Sequence, residues 1–211
     1  FQPYARLLPS VPFFPAPGNH DYGNSKSAEK GRRSWTAGYG AVFRRWPYYS
    51  FDAGDAHFAV LDSNNEGYGI LAAPSLGPGS AQRAWLERDL AGSKARWKFV
   101  LMHVPAYSTG YHGGNAELEA ILAPLFSRHK VDAVFQGHDH HYERSLKVGH
   151  SLYFVVGTGG AKLRAPRKTA YWSAKRVTEF GFLAVSLEGG AALFEYYDAD
   201  GTLRDSARLS K

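Results

Sequence analysis

The sequence predicts an α/β protein. Short runs such as 97–102 and 131–135 are apolar and rich in β-branched or aromatic residues, which is typical of buried strands. Glycine turns with polar side chains follow several runs, and α/β proteins place functional sites in such loops at strand ends. Helical patterns lie between the runs, most clearly over 116–128. A chain of 211 residues can bury one sizeable core, so we predict a single domain over 1–211.

The first forty residues predict little regular structure. Residues 1–8 place apolar side chains at helical spacing and end near Pro9. Residues 11–16 are apolar but contain prolines, so they predict a short buried or edge strand. Residues 24–40 are polar, with glycine and basic side chains, which predicts a long surface loop.

Two strands are predicted next, over 48–51 and 56–62, joined by a turn at 53–55. An Asp-x-His sequence within them ends at His57 and has the spacing of a metal-binding pair. Because His57 opens a strand instead of following one, we interpret it as a strand residue. A loop rich in Gly, Asn, Pro and Ser covers 63–79.

The chain after residue 79 predicts two amphipathic helices. Ser80 is a suitable N-cap for a helix over 81–90. A second helix covers 116–128, where Pro124 requires a kink or break. Further strands are predicted over 151–156, 181–187 and 191–197, with a short last strand after 201.

Composition restricts the classes of function. The net charge is +6, and small basic clusters at 26–33 and 164–168 are most simply solvated loops; attraction of an anionic substrate is an alternative and nucleic acid a weaker one. Cysteine is absent, so thiolate ligands are excluded and any metal must be held by His, Asn, Asp, Glu or Tyr. No apolar run has membrane-spanning length.

The strongest candidate site is the stretch 136–144, Gln-Gly-His-Asp-His-His-Tyr-Glu-Arg, which follows a predicted strand. His138 and His140 are two residues apart, so in extended geometry they share a face, whereas His141 points elsewhere. Neutral imidazole is the commonest transition-metal ligand, so this pattern favours a metal site over a polar turn that merely carries histidines. The glycine run 157–160 precedes no helix, which predicts close passage of the backbone past this loop and not a nucleotide loop.

Other loops carry further candidates. In Gly-Asn-His-Asp, Asn19 offers a carbonyl oxygen to a metal and His20 an imidazole to a substrate; a turn rich in Asx residues is an equal alternative. His103 ends the run 97–102, so we expect Asn19 and His103 to converge with the later histidines. His112 lies in a glycine-rich loop that can lean over the same site, although taken alone it is an exposed loop histidine.

Three of these pieces occur in a fixed order: Gly18-Asn-His-Asp21, Leu101-Met-His103, and Gly137-His-Asp-His140 extended by Tyr142-Glu-Arg-Ser145. Together they resemble the calcineurin-like metallophosphoesterase superfamily, and within it the purple acid phosphatase branch. The resemblance implies a four-layer α/β/β/α sandwich with two transition-metal ions, Fe, Zn or Mn, at the strand ends. It also implies a small phosphate-ester substrate and a secreted or periplasmic location.

The resemblance assigns roles by position. One metal would be bound by Asn19, His103 and His138, and the other by His140. His20 would contact the phosphate or the leaving group, and His112 would face the substrate. Gly113 replaces a second histidine often found beside His112, so acid assistance is expected to differ here.

One departure from the family pattern is large. The family carries Asp-x-His and Gly-Asp-x-x-Tyr upstream of Gly-Asn-His, and too few residues precede Gly18 to hold them. We therefore expect this chain to be the carboxyl-terminal portion of a metallophosphoesterase domain, without the first strands of that domain. By itself the chain is expected to hold one metal ion or none. A missing upstream segment or a partner would cover the exposed sheet edge.

For the complete enzyme we predict hydrolysis of phosphate monoesters by a dinuclear metal centre, as in acid phosphatases. Two alternatives stay open. One is a phosphodiesterase or nucleotidase with the same fold, and the other is a catalytically inactive remnant that acts as a binding module. Nucleic acid is not an expected partner.

Overall fold

The computed structural model describes residue 6 and residues 9–43 and 46–211, so the helix predicted over 1–8 lies outside the described residues except for Arg6. A short 3-10 helix covers Asn19–Tyr22. The α-helices are α1 (Ala28–Ala37), α2 (Tyr39–Phe43), α3 (Asn64–Tyr68), α4 (Ala81–Gly92) and α5 (Ala116–Arg128). The strands are β1 (Tyr49–Ala53), β2 (Ala56–Val60), β3 (Trp97–Leu101), β4 (Ala133–Gln136), β5 (Tyr142–Ser145), β6 (Leu152–Val156), β7 (Ser173–Val177), β8 (Gly181–Glu188), β9 (Ala191–Asp198) and β10 (Leu203–Ser210).

A seven-stranded mixed sheet forms the centre of the described chain, in the order β1-β2-β3-β4-β6-β5-β7. Strands β2, β3, β4 and β6 run parallel, so their carboxyl ends meet at one edge of the sheet. Strand β1 pairs antiparallel with β2 on one side, and β5 and β7 extend the other side antiparallel. This topology confirms the α/β class and brings the loops after β3 and β4 together.

Helices cover one face of the large sheet. Strand residues such as Val100 and Val134 are fully buried against apolar side chains of α4 and α5, among them Leu86 and Leu122. Helix α5 is not broken at Pro124, whose side chain is exposed. Burial of these branched side chains accounts for the stability of this layer.

A three-stranded antiparallel sheet, β10-β9-β8, covers the other face. Trp97 and Phe154 of the large sheet are fully buried against Phe194 of β9, so the two sheets share a second core. The described residues therefore form three layers, α/β/β, of the predicted sandwich. Among the described residues, no helix combines the length and apolar composition required to cross a bilayer.

Two predictions for the early chain are wrong. Residues 11–16 form no strand, because Pro12 and Pro15 lack backbone donors; the Pro15 carbonyl instead accepts from Tyr39 Oη at 2.9 Å. The predicted surface loop 24–40 contains all of α1 and the start of α2. Tertiary packing overrides its polar composition there, since the Trp35 ring stacks between those of Tyr22 and Tyr39.

Short elements were missed where periodicity gives no signal. Helix α3 interrupts the predicted loop 63–79, and the polar strands β5 and β7 extend the large sheet without an apolar pattern. The predicted hairpins are confirmed: Gly54, with φ of 56°, turns β1 into β2, and Gly189, with φ of 52°, turns β8 into β9. His57 lies in β2, as predicted.

His57 links the hairpin to helix α4. Its Nδ1 lies 2.7 Å from Asp52 Oδ1 and its Nε2 lies 2.8 Å from Asp89 Oδ2, so a protonated ring donates to two carboxylates. The hydrogen bond to Asp89 is the main cause that raises the pKa of His57 above 6.5, against the opposing effect of burial. This stabilisation is fully present below about pH 6.5 and is lost as the pH rises through the raised folded-state pKa.

We therefore expect His57→Gln to lower the melting temperature more at about pH 5.5 than at about pH 9. Thermal denaturation of both proteins at the two pH values measures the difference. His129→Gln, at a histidine whose pKa is lowered by burial, serves as the contrast and should show no larger loss at the lower pH. A loss of stability that is equal at both pH values would show that His57 acts only through packing.

Candidate metal centre and active site

Three side chains from distant parts of the chain converge on one point. His103 Nε2 lies 2.7 Å from Asn19 Oδ1 and 3.2 Å from His138 Nδ1, and the third separation, His138 Nδ1 to Asn19 Oδ1, is 3.2 Å. We call Asn19, His103 and His138 the ligand triangle. The predicted convergence of these residues is therefore present in the fold.

The large sheet delivers both histidines of the triangle. Strands β3 and β4 are parallel neighbours, and His103 and His138 each lie two residues beyond the end of their strand. A backbone hydrogen bond from Gly137 N to His103 O, 3.0 Å long, joins the two loops. A Cβ added at Gly18 would lie 3.1 Å from His103 Nδ1, so a glycine there lets the third loop approach.

His138 reaches the site by a route that the sequence analysis did not predict. Its φ is 67°, in the left-handed region that non-glycine residues rarely adopt, and not the extended geometry assumed for the pair with His140. Both histidines nevertheless line the same pocket, and His141 does not. A strained backbone held at this position is typical of functional sites.

Asn24 orients the amide of Asn19 and was missed by the sequence analysis. Asn19 Nδ2 donates to Asn24 Oδ1, which turns Asn19 Oδ1 toward the two histidines. Asn24 Nδ2 in turn donates to His20 Nδ1 at 3.2 Å. A neutral His20 that accepts at Nδ1 carries its proton on Nε2, so this ring is set up to donate a hydrogen bond from Nε2.

Burial keeps the histidines of the triangle neutral. Desolvation, with a smaller contribution from the neighbouring histidines, lowers the pKa of His103 to about 3 and that of His138 to about 4. Above about pH 5 both rings are therefore in the neutral form that metals bind.

The triangle has the dimensions of half a coordination shell. Donors held at about 2.1 Å from an octahedral ion lie about 3.0 Å apart in neighbouring positions, and the observed separations of 2.7 Å to 3.2 Å lie around that spacing. Among the described residues, no group of three or more His, Asp or Glu side chains has this arrangement, and the lining of the pocket contains neither Asp nor Glu. The triangle therefore fits one ion with three neutral donors.

His140 and His112 line the same pocket as the ligand triangle. His140 Nδ1 lies 2.8 Å from the carbonyl oxygen of Lys162, so Nδ1 donates and Nε2 keeps a free lone pair. The ring centroid of His112 lies 4.5 Å from that of His138. Arg164 Nη1 donates to His112 Nε2 at 3.2 Å, and burial followed by the nearby cationic and imidazole groups lowers the pKa of His112 despite the opposing effect of Asp139.

A comparison with protein families identifies the family of the chain. A family model described as calcineurin-like phosphoesterase matches residues 1–142. The chain belongs to the calcineurin-like phosphoesterase family.

Several purple acid phosphatases are relatives of this chain. Purple acid phosphatase 7 of Arabidopsis thaliana is 30% identical over 130 residues, which cover 60% of this chain and 39% of the relative. A purple acid phosphatase of Glycine max is 35% identical over 114 residues, 52% of this chain and 23% of the relative. The chain thus spans well under half the length of these curated relatives.

Solved structures agree with this membership. A purple acid phosphatase from yellow lupin (Lupinus luteus) seeds superposes with a TM-score of 0.67 at 25% identity, covering 77% of this chain and 32% of that one. A dimetal phosphatase from Danio rerio shares the fold alone, with a TM-score of 0.53 at 14% identity over 92% of this chain and 70% of that one. The predicted family and its purple acid phosphatase-like branch are confirmed.

Two buried carboxylates support the loops of the pocket around the ligand triangle. Asp139 is fully buried and accepts from Ser108 Oγ at 2.5 Å, His112 N at 2.8 Å and Gly113 N at 3.1 Å. Glu143 accepts from Thr109 N at 2.7 Å and from His141 Nε2 at 3.1 Å. These bonds fix the loop that carries His112, and they explain why His141 is used for support and not for the pocket.

Ionisation of Glu143 is part of that support. Burial opposes its ionisation, but hydrogen bonds from His141, Ser173 and Thr109 outweigh burial and lower the pKa of Glu143. The carboxylate therefore stays charged at neutral pH and can accept all of these bonds. The predicted close approach of the glycine run is also present, because Gly157 passes directly over the Asp139 carbonyl.

Proposed function

We propose that this chain contributes the metal-binding and phosphate-facing side chains of an acid phosphatase-like phosphomonoesterase. The observation that carries the proposal is the ligand triangle, in which three neutral donors lie 2.7 Å to 3.2 Å apart at the carboxyl ends of parallel strands. The similarity to purple acid phosphatases supports the same chemistry.

The ligand triangle would hold one divalent or trivalent transition-metal ion. Imidazole nitrogen and amide oxygen suit iron, zinc or manganese. Three protein ligands leave coordination positions open for water and phosphate. An ion bound in this way polarises phosphoryl oxygens and lowers the pKa of a water nucleophile to near 7.

A second ion, as in the dinuclear centre that we propose for the whole enzyme, would use the free Nε2 of His140 and needs anionic ligands as well. Two dications about 3.5–4 Å apart repel each other by roughly 18 kcal/mol at an effective dielectric of about 20. The pocket lining contributed by the described residues is neutral or cationic. Carboxylates from outside this lining, or the substrate phosphate itself, would have to offset the repulsion.

His20 and His112 would act on the substrate. The Nε2 proton of His20 is free to donate to a phosphoryl or leaving-group oxygen, because Asn24 occupies Nδ1. His112 is held neutral with Nε2 accepting from Arg164, so its Nδ1 proton would bind a phosphoryl oxygen. We assign protonation of the leaving group to His20 and binding of a phosphoryl oxygen to His112.

The location and the partners of the protein stay predictions. A secreted or periplasmic location follows only from the similarity to purple acid phosphatases. Coverage of a sheet edge by a further segment or partner likewise has no direct support among the described residues.

The proposal is tested by assaying the protein, as its gene encodes it, after loading with iron, zinc or manganese. We expect hydrolysis of p-nitrophenyl phosphate that disappears on chelation and returns with the metal. Faster hydrolysis of bis(p-nitrophenyl) phosphate would favour the phosphodiesterase alternative. Stoichiometric metal binding with neither activity would favour a binding module.

Replacement of His20 separates catalysis from metal binding. We expect His20→Ala to lower kcat by about 10²- to 10⁴-fold, the usual contribution of general acid catalysis, while the metal content stays the same. Steady-state kinetics with β-glycerophosphate, whose alkoxide leaving group has to be protonated, and elemental analysis of the same sample measure both. Full activity in the variant, or loss of its metal, would contradict the role proposed for His20.

A further inference from the structure

The segment 161–168, which we call the basic loop, lies beside the ligand triangle. Its cations are Lys162, Arg164, Arg167 and Lys168, and the chain contains no Asp or Glu from residue 144 to residue 178. Among the described residues, none of the four cations forms an ion pair with a carboxylate. Four positive charges within seven residues are therefore left without a protein counter-charge.

Hydrogen bonds from the pocket loops hold the basic loop in place. Arg164 N donates to the carbonyl of His140 at 3.0 Å, and the Lys162 carbonyl accepts from the His140 ring at 2.8 Å. Arg167 N and Lys168 N both point to the carbonyl of Thr109, at 2.9 Å and 3.2 Å. The loop is thus attached both to a proposed metal ligand and to the segment that carries His112.

The cations extend outward from the triangle through a series of contacts. Arg164 donates to His112, whose ring lies against that of His138, so the first guanidinium is one side chain away from the triangle. The guanidinium carbons of Arg164 and Arg167 lie 4.5 Å and 3.7 Å from the centroid of the Tyr111 ring. Stacking on one aromatic ring fixes the planes of both groups.

We propose that the basic loop binds a second phosphate group of the substrate, next to the phosphate that is hydrolysed. This inference rests on the proposed phosphatase function and specifies its substrate class, a small molecule with two or more phosphates. Planar guanidinium groups bind phosphate in bidentate fashion. Those of Arg164 and Arg167 both lie against the Tyr111 ring, and among the described residues neither forms an ion pair with a carboxylate. The free cations beside the site would otherwise repel each other with no compensating charge.

The test measures the binding of inorganic phosphate and of pyrophosphate to the metal-loaded protein by calorimetry, with pyrophosphate supplied as its non-hydrolysable methylene analogue. The variant combines Arg167→Glu and Lys168→Glu, since neither side chain contacts the ligand triangle, His20 or His112. We expect the preference for pyrophosphate over phosphate to fall by about tenfold or more in this variant, as two favourable contacts become repulsive. Arg208→Glu, an exposed cation on β10, should leave the preference unchanged.

Two outcomes of this experiment would overturn the proposal. An equal loss of affinity for both anions would show a general field effect and no second phosphate site. The second outcome is that a single-stranded oligonucleotide binds more tightly than pyrophosphate does and loses this binding in the variant. That result would mean that the loop recognises a polymer. Because binding is measured without turnover, a failure of the phosphatase proposal leaves this result interpretable.

Kinetics then identify the source of the second phosphate. A nucleoside diphosphate presents it through an anhydride, and glucose 1,6-bisphosphate presents it as a separate ester. We expect the double variant to raise KM for at least one of these by about tenfold relative to p-nitrophenyl phosphate. A KM ratio that stays the same for both substrates would contradict the proposal.

Discussion

His138→Ala is expected to weaken metal binding by more than about 100-fold and to lower phosphatase activity by a similar factor when the metal is limiting. The variant removes one of three donors that lie within 3.2 Å of each other. Loss even of a group that only orients a ligand typically costs 10- to 100-fold in metal affinity, so loss of a donor should cost more. Calorimetric titration with zinc or manganese, together with elemental analysis, measures the effect.

The matched control for this variant is His129→Ala, which removes a histidine outside the pocket lining. It should retain the metal affinity and activity of the original protein. The two variants also separate folding from binding, since circular dichroism should show native secondary structure in both. Stoichiometric, tightly bound metal in folded His138→Ala would remove His138 from the ligand set.

Gly157→Ala is expected to be the most damaging single-methyl substitution near the site. A Cβ at Gly157 would lie 1.9 Å from the Asp139 carbonyl oxygen, which is backbone and cannot rotate away. Overpacking in a rigid interior costs about 1–3 kcal/mol or more, and relief here requires the loop between His138 and His140 to move. We therefore expect both a lower melting temperature and weaker metal binding.

Gly159→Ala provides the matched control two residues away. Nothing lies within 4 Å of a Cβ added there, so this substitution should change stability by less than about 0.5 kcal/mol. Thermal denaturation and metal titration of both variants measure the contrast. Equal melting temperatures and metal affinities in the two variants would show that neither stability nor metal binding requires the close approach of the glycine run to the loop.

The convergence of the candidate ligands could be predicted because each signal was local. His103 and His138 follow apolar strands, and parallel neighbouring strands place their ends together. The helices and hairpins marked by strong periodicity, a cap or a glycine turn were also predicted correctly, as Ser80 and Gly54 show.

The features of the fold and site that the sequence did not predict depend on contacts between residues far apart in the chain. Helix α1 is stabilised by Trp35 packing between two tyrosines, and its polar sequence gives no sign of this. The left-handed backbone of His138 and the orienting role of Asn24 exist only once the loops have met. The basic cluster at 164–168 was visible in the sequence, but its position beside His112 was not.

The central claim is that Asn19, His103 and His138 bind one metal ion. A crystal structure of the zinc- or manganese-loaded protein, with anomalous data collected at the metal edge, tests it most directly. We predict one ion at about 2.0–2.2 Å from Asn19 Oδ1, His103 Nε2 and His138 Nδ1. A fully loaded crystal in which the anomalous peak lies away from these three atoms would contradict the account.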